Sequence, residues 1–229
     1  MGLGVVAIAD PPTAIRLKVP FSDGLGGGKY IDSQNEELTF SILNEKYCND
    51  VIIQEAVEQD EYINMFNSTS VNTLRLSLYR SVIDDKPHIT GAIMRIGSKG
   101  SCVDNAHAGG CYVGINKDGT FCHWVLDQYG RSQRVFNDVD FCNKYSYPNW
   151  KEVVEFGKSV ARYVPHHRLL ALDIALTKGQ KPVLIEFNCL YYSTWLFQYT
   201  TSPAFGEYTD EIIDYCLSHK DMCEVQLLI

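Results

Sequence analysis

The residues best suited to chemistry are two carboxylates and an amide, Asp173, Glu186 and Asn188. If Gly179-Gln180 is a two-residue turn, with glycine first as a type II′ turn prefers, Asp173 lies directly opposite Glu186 on two paired strands. Opposed β-carbons are about 5 Å apart, and like charges there are unfavourable. Two carboxylates and an amide oxygen are hard ligands that suit magnesium. The pattern therefore predicts a magnesium site on this hairpin.

The remaining positions of the hairpin predict which face of it is buried. One face is entirely apolar: Leu172, Ile174, Leu176, Val183, Ile185 and Phe187. We expect this face to fix the register, because a slip of one residue would expose it. The other face has small Ala171, opposite Asn188, and Ala175, which leave room beside the carboxylates. Solvated surface charges are the alternative interpretation of Asp173 and Glu186.

Two arginines could bind an anion. Arg75 and Arg95 lie on predicted strands, from Val71 to Tyr79 and from His88 to Gly97. A loop at Asp84-Asp85-Lys86 would place the two arginines opposite each other. Two adjacent guanidinium groups match the forked geometry of a phosphate. Two separate surface salt bridges are the alternative.

A glycine-rich segment follows the predicted strand from Ala14 to Val19. It includes Gly26, Gly27, Gly28 and Lys29, and Lys18 precedes it. Glycine lets successive amides turn toward a phosphate, and the two lysines would add positive charge. The segment does not match a Walker motif, because no Gly-Lys-Ser/Thr ends it. A surface turn is the alternative.

Residues 103–110 form another polar segment, which we call the 103–110 loop. Its candidate substrate-contacting residues are Asp104, Asn105, His107, Gly109 and Gly110. The histidine could act as a general base, although a single loop histidine is more often structural or solvated.

The elements that position these residues are mostly strands joined as hairpins. Further strands are predicted from Val51 to Val57, Cys111 to Ile115, Thr120 to Leu126, and in a final hairpin from Leu169 to Asn188. Helices are predicted from Glu36 to Lys46 after Asn35, from Asn149 with Glu152 completing a capping box, and from Asp210 to Leu217. We therefore predict an α+β fold with antiparallel sheets, not a doubly wound one.

Composition narrows the class of protein. The chain has 229 residues, of which 45% are hydrophobic, enough for one sizeable core or two small lobes. A net charge of −8 disfavours nucleic-acid binding. No run of about 18 apolar residues predicts a membrane span. None of the eight cysteines forms a CxxC pair, so free thiols in the cytoplasm are expected, and a structural zinc site is not.

Together these segments resemble the ATP-grasp superfamily, and within it the sugar-transfer-associated branch. The resemblance runs from Ile15 to Cys216. The matching pieces, in order, are Lys18 with Gly24 to Lys29, Ile53 to Val57, Val71 to Arg75, Arg95 to Gly97, Val103 to Asn105, Gly109-Gly110, Leu172 to Ile174 and Ile185 to Asn188. It implies two α+β lobes, residues 1–57 and 58–229, with antiparallel sheets that enclose a nucleotide cleft.

The resemblance also implies roles for the residues. Lys18 and the glycine-rich segment would hold the phosphates of ATP, and the backbone at Glu55, Ala56 and Val57 would meet adenine. The two arginines would stabilise the transferred phosphoryl group, and the last hairpin would hold magnesium. Since both hairpin carboxylates are expected on the non-core face, Asp173→Asn or Glu186→Gln should weaken binding of Mg-ATP without unfolding the chain.

The implied reaction is that of an ATP- and magnesium-dependent carboxylate ligase. A carboxylate becomes an acyl phosphate, which an amine or a sugar-linked nucleophile attacks, in a setting of cell-surface polysaccharide biosynthesis. A kinase that phosphorylates a hydroxyl, and a nucleotide-binding module without catalysis, are the alternatives.

The chain departs from the pattern of the resemblance in three places. Many ATP-grasp ligases have an arginine where this chain has Ala171, and a proline-glycine turn where it has Cys189 to Ser193. The N-terminal domain and an earlier lysine of such enzymes are also expected to be missing. A missing domain or a partner would then complete the site.

Overall fold

The computed structural model describes residues 15–18, 28–31, 39, 41, 52–55, 57–101, 103–190, 192–201 and 203–220, with the backbone alone in 15–18, 28–31 and 52–55. Its strands are β1 (Ile15–Lys18), β2 (Gly28–Ile31), β3 (Ile52–Glu55), β4 (Leu74–Arg80), β5 (Pro87–Ile96), β6 (Cys111–Ile115), β7 (Phe121–Leu126), β8 (Ser132–Gln133), β9 (Val135–Phe136), β10 (Val139–Asp140), β11 (Leu169–Thr177) and β12 (Lys181–Asn188). Its helices are α1 (Glu61–Asn64), α2 (Trp150–Arg162), α3 (Thr194–Thr200) and α4 (Thr209–Ser218).

The strands form three sheets in the described part of the chain. The largest has seven strands in the order β12-β11-β4-β5-β6-β7-β8, a second has the order β2-β1-β3, and β9 pairs with β10. Every described pair is antiparallel, so the predicted α+β fold with antiparallel sheets is confirmed. The helix predicted from Glu36 to Lys46 lies almost wholly outside the described residues.

Helix α2 covers one face of the seven-stranded sheet. Val153, Gly157 and Ala161 form its buried stripe, as the helical spacing predicts. Gly157 allows a close approach, because a Cβ there would lie 2.5 Å from a methyl group of Leu76. The predicted capping box is wrong, because the side chain of Asn149 donates to the carboxylate of the predicted partner instead of accepting from the helix backbone.

Helix α3, which the sequence analysis missed, covers the opposite face of the same sheet. Two glycines let it approach the strands closely. A Cβ on Gly91 of β5 would lie 2.7 Å from the ring of Phe197, and one on Gly114 of β6 would lie 2.6 Å from Thr200. Phe197 and Leu196 form a second, smaller core with residues of β5, β6 and β7. The sheet is therefore covered by a helix on each face.

Two further observations concern the described residues as a group. No helix among them has both the length and the apolar character needed to cross a membrane. Five cysteines are described as free thiols: Cys111, Cys122, Cys142, Cys189 and Cys216.

Candidate functional site

The carboxylate hairpin has the predicted pairing at its functional end. Asp173 pairs with Glu186, and Ala171 pairs with Asn188. The predicted two-residue turn is wrong, because Thr177 pairs with Lys181 and leaves a three-residue loop. A β-bulge next to Asp173 then shifts the register back by one residue. The longer loop and the bulge each shift the register by one residue in opposite directions, so the predicted pairing is correct at the carboxylates.

The predicted core face of this hairpin is correct on β11 and wrong on β12. Leu172, Ile174 and Leu176 are completely buried. Val183 and Phe187, in contrast, are 40% and 48% exposed. The reason is that β12 is the edge strand of the sheet and the bulge rotates its residues relative to β11.

Asp173 lies in the interior of the sheet, with only 2% of its surface exposed. The alternative interpretation of Asp173 as a solvated surface charge is therefore wrong. Strand β11 runs between β12 and β4, so Asp173 pairs with Arg75 of β4 on the side away from Glu186. Its two oxygens each accept a hydrogen bond of 2.7 Å from this guanidinium, and Arg95 donates a third at 3.1 Å.

The sequence analysis expected the two arginines to lie directly opposite each other, and this expectation is wrong. Arg75 pairs with Ile93, and the backbone nitrogen of Arg95 donates to Thr73. The loop between β4 and β5 spans residues 81–86, longer than predicted, and a bulge shifts the register beside Ser77. Both arginines still lie on the same face, because the displacement of two residues preserves the alternation of the strand.

Asp104 extends the charged network by one more residue. One of its oxygens accepts from Arg95 at 2.8 Å, and the other accepts from the backbone nitrogen of Thr73 at 3.0 Å. Arg75, Asp173, Arg95 and Asp104 thus alternate in charge along the floor of the site. Bidentate and shared contacts of this kind fix the orientation of a guanidinium group.

The ion pair between Asp173 and Arg75 favours the charged form of both partners. Burial by itself would raise the pKa of Asp173, but hydrogen bonds from Arg75 and the positive charges of both arginines outweigh it and lower this pKa. Burial opposes the charge of Arg75, yet its bond to Asp173 raises the pKa of the guanidinium. The site is therefore preorganised as an ionic cluster.

A cavity of about 340 Å³ opens above the two arginines. Its lining comes from the sheet, the loop before β6 and the start of α3: Arg75, Arg95, Asn105, Ala106, His107, Cys111, Tyr112, Glu186, Asn188, Ser193, Trp195 and Leu196. The volume is within the range of small-molecule sites, and the polar groups converge on one side of it. Trp195 and Leu196 form an apolar wall that the sequence analysis did not identify.

The 103–110 loop, which precedes β6, brings some of the predicted substrate-contacting residues to this cavity. Asn105 and His107 line it, whereas Asp104 lies beneath Arg95. The glycines shape the loop: Gly109 has a φ of 85°, and a Cβ on Gly110 would lie 2.8 Å from the carbonyl oxygen of Ile96. Glycine is required at both positions for these two different reasons.

Cys111 is not a nucleophile at neutral pH, although it lines the cavity. Burial raises the pKa of its thiol to about 11 despite a 3.0 Å hydrogen bond from Gln133. The reactive form of cysteine is the thiolate, which is scarce at such a pKa. Covalent catalysis through this side chain is therefore disfavoured.

The residues predicted to bind ATP elsewhere are described only in part. Lys18 ends β1 and pairs with Gly28 of β2, and Lys29 follows in the same strand. Glu55 ends β3 and pairs with Ile15. Three predicted positions, 26, 27 and 56, lie outside the described residues. Val57 lines a different cavity, of about 520 Å³, with residues 58, 59, 64 and 68–71.

A cavity of about 500 Å³ lies where β5 and β6 diverge, and none of the predicted site residues lines it. Its two lysines are paired with carboxylates, Lys117 with Glu207 and Lys158 with Glu155, at 2.8 Å each. The cavity of about 340 Å³ is the better candidate for the active site, because its charged groups are buried and converge.

The donors around the smaller cavity fit magnesium in part. The amide nitrogen of Asn188 is buried and has no hydrogen-bond partner among the described residues, and a half-turn would place the amide oxygen there instead. Glu186 lies on the same strand and lines the same cavity. Ligation by Asp173, as predicted, would compete with the three hydrogen bonds that its oxygens accept from the two arginines. Among the described residues, no group of three or more His, Cys, Asp or Glu could hold a metal ion.

Comparison with known proteins agrees with the resemblance stated from the sequence. The family model for sugar-transfer associated ATP-grasp proteins matches residues 35–211, more than half of the chain. The matched range includes the ionic network and the cavity residues, and it begins after the glycine-rich segment. A comparison with curated proteins found no match.

Proposed function

The chain belongs to the sugar-transfer-associated ATP-grasp family, whose fold implies ATP-dependent, ligase-like activity, and we propose that it activates a carboxylate as an acyl phosphate. An amine or a similar nucleophile then completes the reaction. Cell-surface polysaccharide biosynthesis is the proposed setting, taken from the association of the family with sugar transfer. A lobe of residues 1–57 and a lobe of residues 58–229, with ATP between them, complete the proposal.

The observation that carries this proposal is the position of Asp173. It binds two arginines on one side and pairs with Glu186 on the other, and these three partners line a cavity of small-molecule size. Buried clusters of opposite charge are expensive to form, since each ion loses its hydration, and they are frequent at catalytic sites. A purely structural role would not require the cluster to lie beside a cavity.

The metal residues of the proposal are Glu186 and Asn188, with Asp173 joining them when the arginines turn to an anionic ligand. Magnesium bound there would neutralise the charge of the ATP phosphates. The position that is an arginine in many ATP-grasp ligases is Ala171 here, fully buried beneath its neighbours. Arg75 and Arg95, which come from adjacent strands, would supply that positive charge.

The proposed reaction has two steps. A carboxylate oxygen attacks the γ-phosphorus of ATP, a new P–O bond forms, and ADP leaves with the electrons of the broken bond. The nucleophile then attacks the carbonyl carbon, and phosphate leaves. In the first step Arg75 and Arg95 would stabilise the negative charge on the transferred group. Lys18, Lys29 and the glycines before it would hold the remaining phosphates, and the backbone at positions 55–57 would hold adenine.

Hydroxylamine trapping tests this proposal. The chain is incubated with Mg-ATP, hydroxylamine and a panel of amino, aliphatic and aromatic acids, and the hydroxamate is measured as its coloured iron(III) complex. We expect at least one acid to give ADP and hydroxamate in equal amounts, because hydroxylamine intercepts an acyl phosphate. A phosphate ester that survives hydroxylamine, formed on a hydroxyl compound, would instead identify a kinase. ATP that stays intact with every acid and hydroxyl compound would contradict both enzymatic readings.

A further inference from the structure

His107 is one of four side chains around the cavity whose type permits proton transfer, the others being Cys111, Tyr112 and Glu186. Burial raises the pKa of Cys111 to about 11 and raises the pKa of Tyr112 even further. Both therefore keep their protons at neutral pH and cannot accept another. Glu186 belongs to the proposed metal group and pairs across the strands with Asp173.

The imidazole of His107 is held in a defined orientation. Its Nδ1 lies 2.7 Å from Oε1 of Gln128, on the segment that follows β7. A carboxamide oxygen can only accept a hydrogen bond, so in the neutral imidazole the proton is on Nδ1 and the lone pair is on Nε2. Among the described residues, Nε2 has no hydrogen-bond partner. Such an arrangement leaves Nε2 able to accept a proton.

The backbone also positions this side chain. The amide oxygen of Asn105 accepts a 3.1 Å hydrogen bond from the backbone nitrogen of His107 and begins a single turn of 3-10 helix. Gly109 ends that turn in the left-handed conformation. The histidine is exposed at the rim of the cavity, where a second substrate can reach it, whereas the arginines lie at the floor.

We infer that His107 is the general base that accepts a proton from the incoming amine, and that Gln128 is the residue that orients it. This inference rests on the proposed function. In the second step, the N–C bond forms, the C–O bond to phosphate breaks, and phosphate takes the electron pair. The amine proton passes to Nε2 and then to water. Transfer of this kind contributes about 10²- to 10⁴-fold to a rate.

The test compares two nucleophiles in the His107→Gln variant. Hydroxylamine is largely unprotonated at neutral pH and attacks without help from a base, whereas glycine ethyl ester supplies an ordinary primary amine. The acid is the one that gives the most hydroxamate in the panel described above. We expect amide formation with glycine ethyl ester to fall at least 100-fold, while hydroxamate formation stays within about threefold of the unmodified chain. Added imidazole should restore part of the lost amide formation.

The controls separate the base from a structural role. His123→Gln changes an exposed histidine on β7 and should leave both products unchanged. Gln128→Ala should lower amide formation about tenfold, and Gln128→Glu, which retains an acceptor for Nδ1, should restore it. Equal losses with both nucleophiles, or no loss with the amine, would overturn the role of His107. Absence of hydroxamate in the unmodified chain would overturn the proposed function instead, and the inference with it.

Discussion

Asp173→Asn is expected to destabilise the fold by about 3–5 kcal/mol and to abolish ATP-dependent turnover. The substitution keeps the size of the side chain but removes the charge that compensates Arg75 and Arg95. Because Arg75 is only 8% exposed, its guanidinium cannot recover that interaction from water. The free energy of unfolding is measured by urea titration, and turnover by ADP release.

Asp138→Asn is the matched control for this substitution. Asp138 forms a 2.8 Å pair with Lys99, but both side chains are largely exposed, so the loss should be below about 1 kcal/mol. Similar unfolding energies for the two variants would show that the buried cluster does not stabilise the fold. The result would also favour the original expectation that Asp173 is replaceable.

Asp173→Asn should also alter how the free energy of unfolding depends on pH. Since the pKa of Asp173 is lower in the folded chain than in the unfolded chain, its contribution is complete above about pH 4 and is lost as the pH falls through the lowered value. The difference in unfolding free energy between the unmodified chain and the Asn variant should therefore shrink below about pH 4.

Arg95→Ala is expected to lower turnover by about 10²- to 10³-fold, the usual effect of removing one group that stabilises transition-state charge. Arg95 bridges Asp173 and Asp104, and its side chain is 19% exposed, so it can reach a ligand in the cavity. Binding of Mg-ATP, measured by calorimetry, should change much less than turnover, because the interaction strengthens as the phosphoryl group transfers.

Arg134→Ala provides the comparison for Arg95→Ala. Arg134 also forms a short ion pair, at 2.7 Å from Asp140, but 65% of its side chain is exposed and it lies outside the cavity. Its removal should leave turnover unchanged. Full turnover in both variants would show that Arg95 does not act on the transferred group. Loss of turnover in both would show that the loss reflects damage to the fold and not a role of Arg95 in the reaction.

The sequence predicted the carboxylate pairing for reasons that only partly hold. Alternation of apolar residues located Asp173 and Glu186 on one face, which required only the period of a strand. The loop of three residues and the compensating bulge could not be predicted, since both depend on how β12 packs at the edge of the sheet. For the same reason, the alternation placed Arg75 and Arg95 on a common face but gave the wrong partners.

The wall of the cavity was missed for a different reason. Helix α3 has only seven residues, so its apolar positions show no clear helical period. Gly91 and Gly114 were the available signal, because an isolated glycine in a strand indicates a close approach by another element. The buried state of Asp173 was also missed, because it depends on an ion pair with Arg75, which lies 98 residues earlier in the chain.

The measurement that most directly tests the account is calorimetric titration of ATP, with and without magnesium, into the chain and into its Glu186→Gln variant. The account predicts saturable, magnesium-dependent binding that Glu186→Gln weakens at least tenfold, because Glu186 is a proposed metal residue. Glu155→Gln, the same change at an exposed pair with Lys158, should leave binding unchanged. Binding that is independent of magnesium, or equally strong in the Glu186→Gln variant, would contradict the assignment of this cavity as the magnesium and phosphoryl-transfer site.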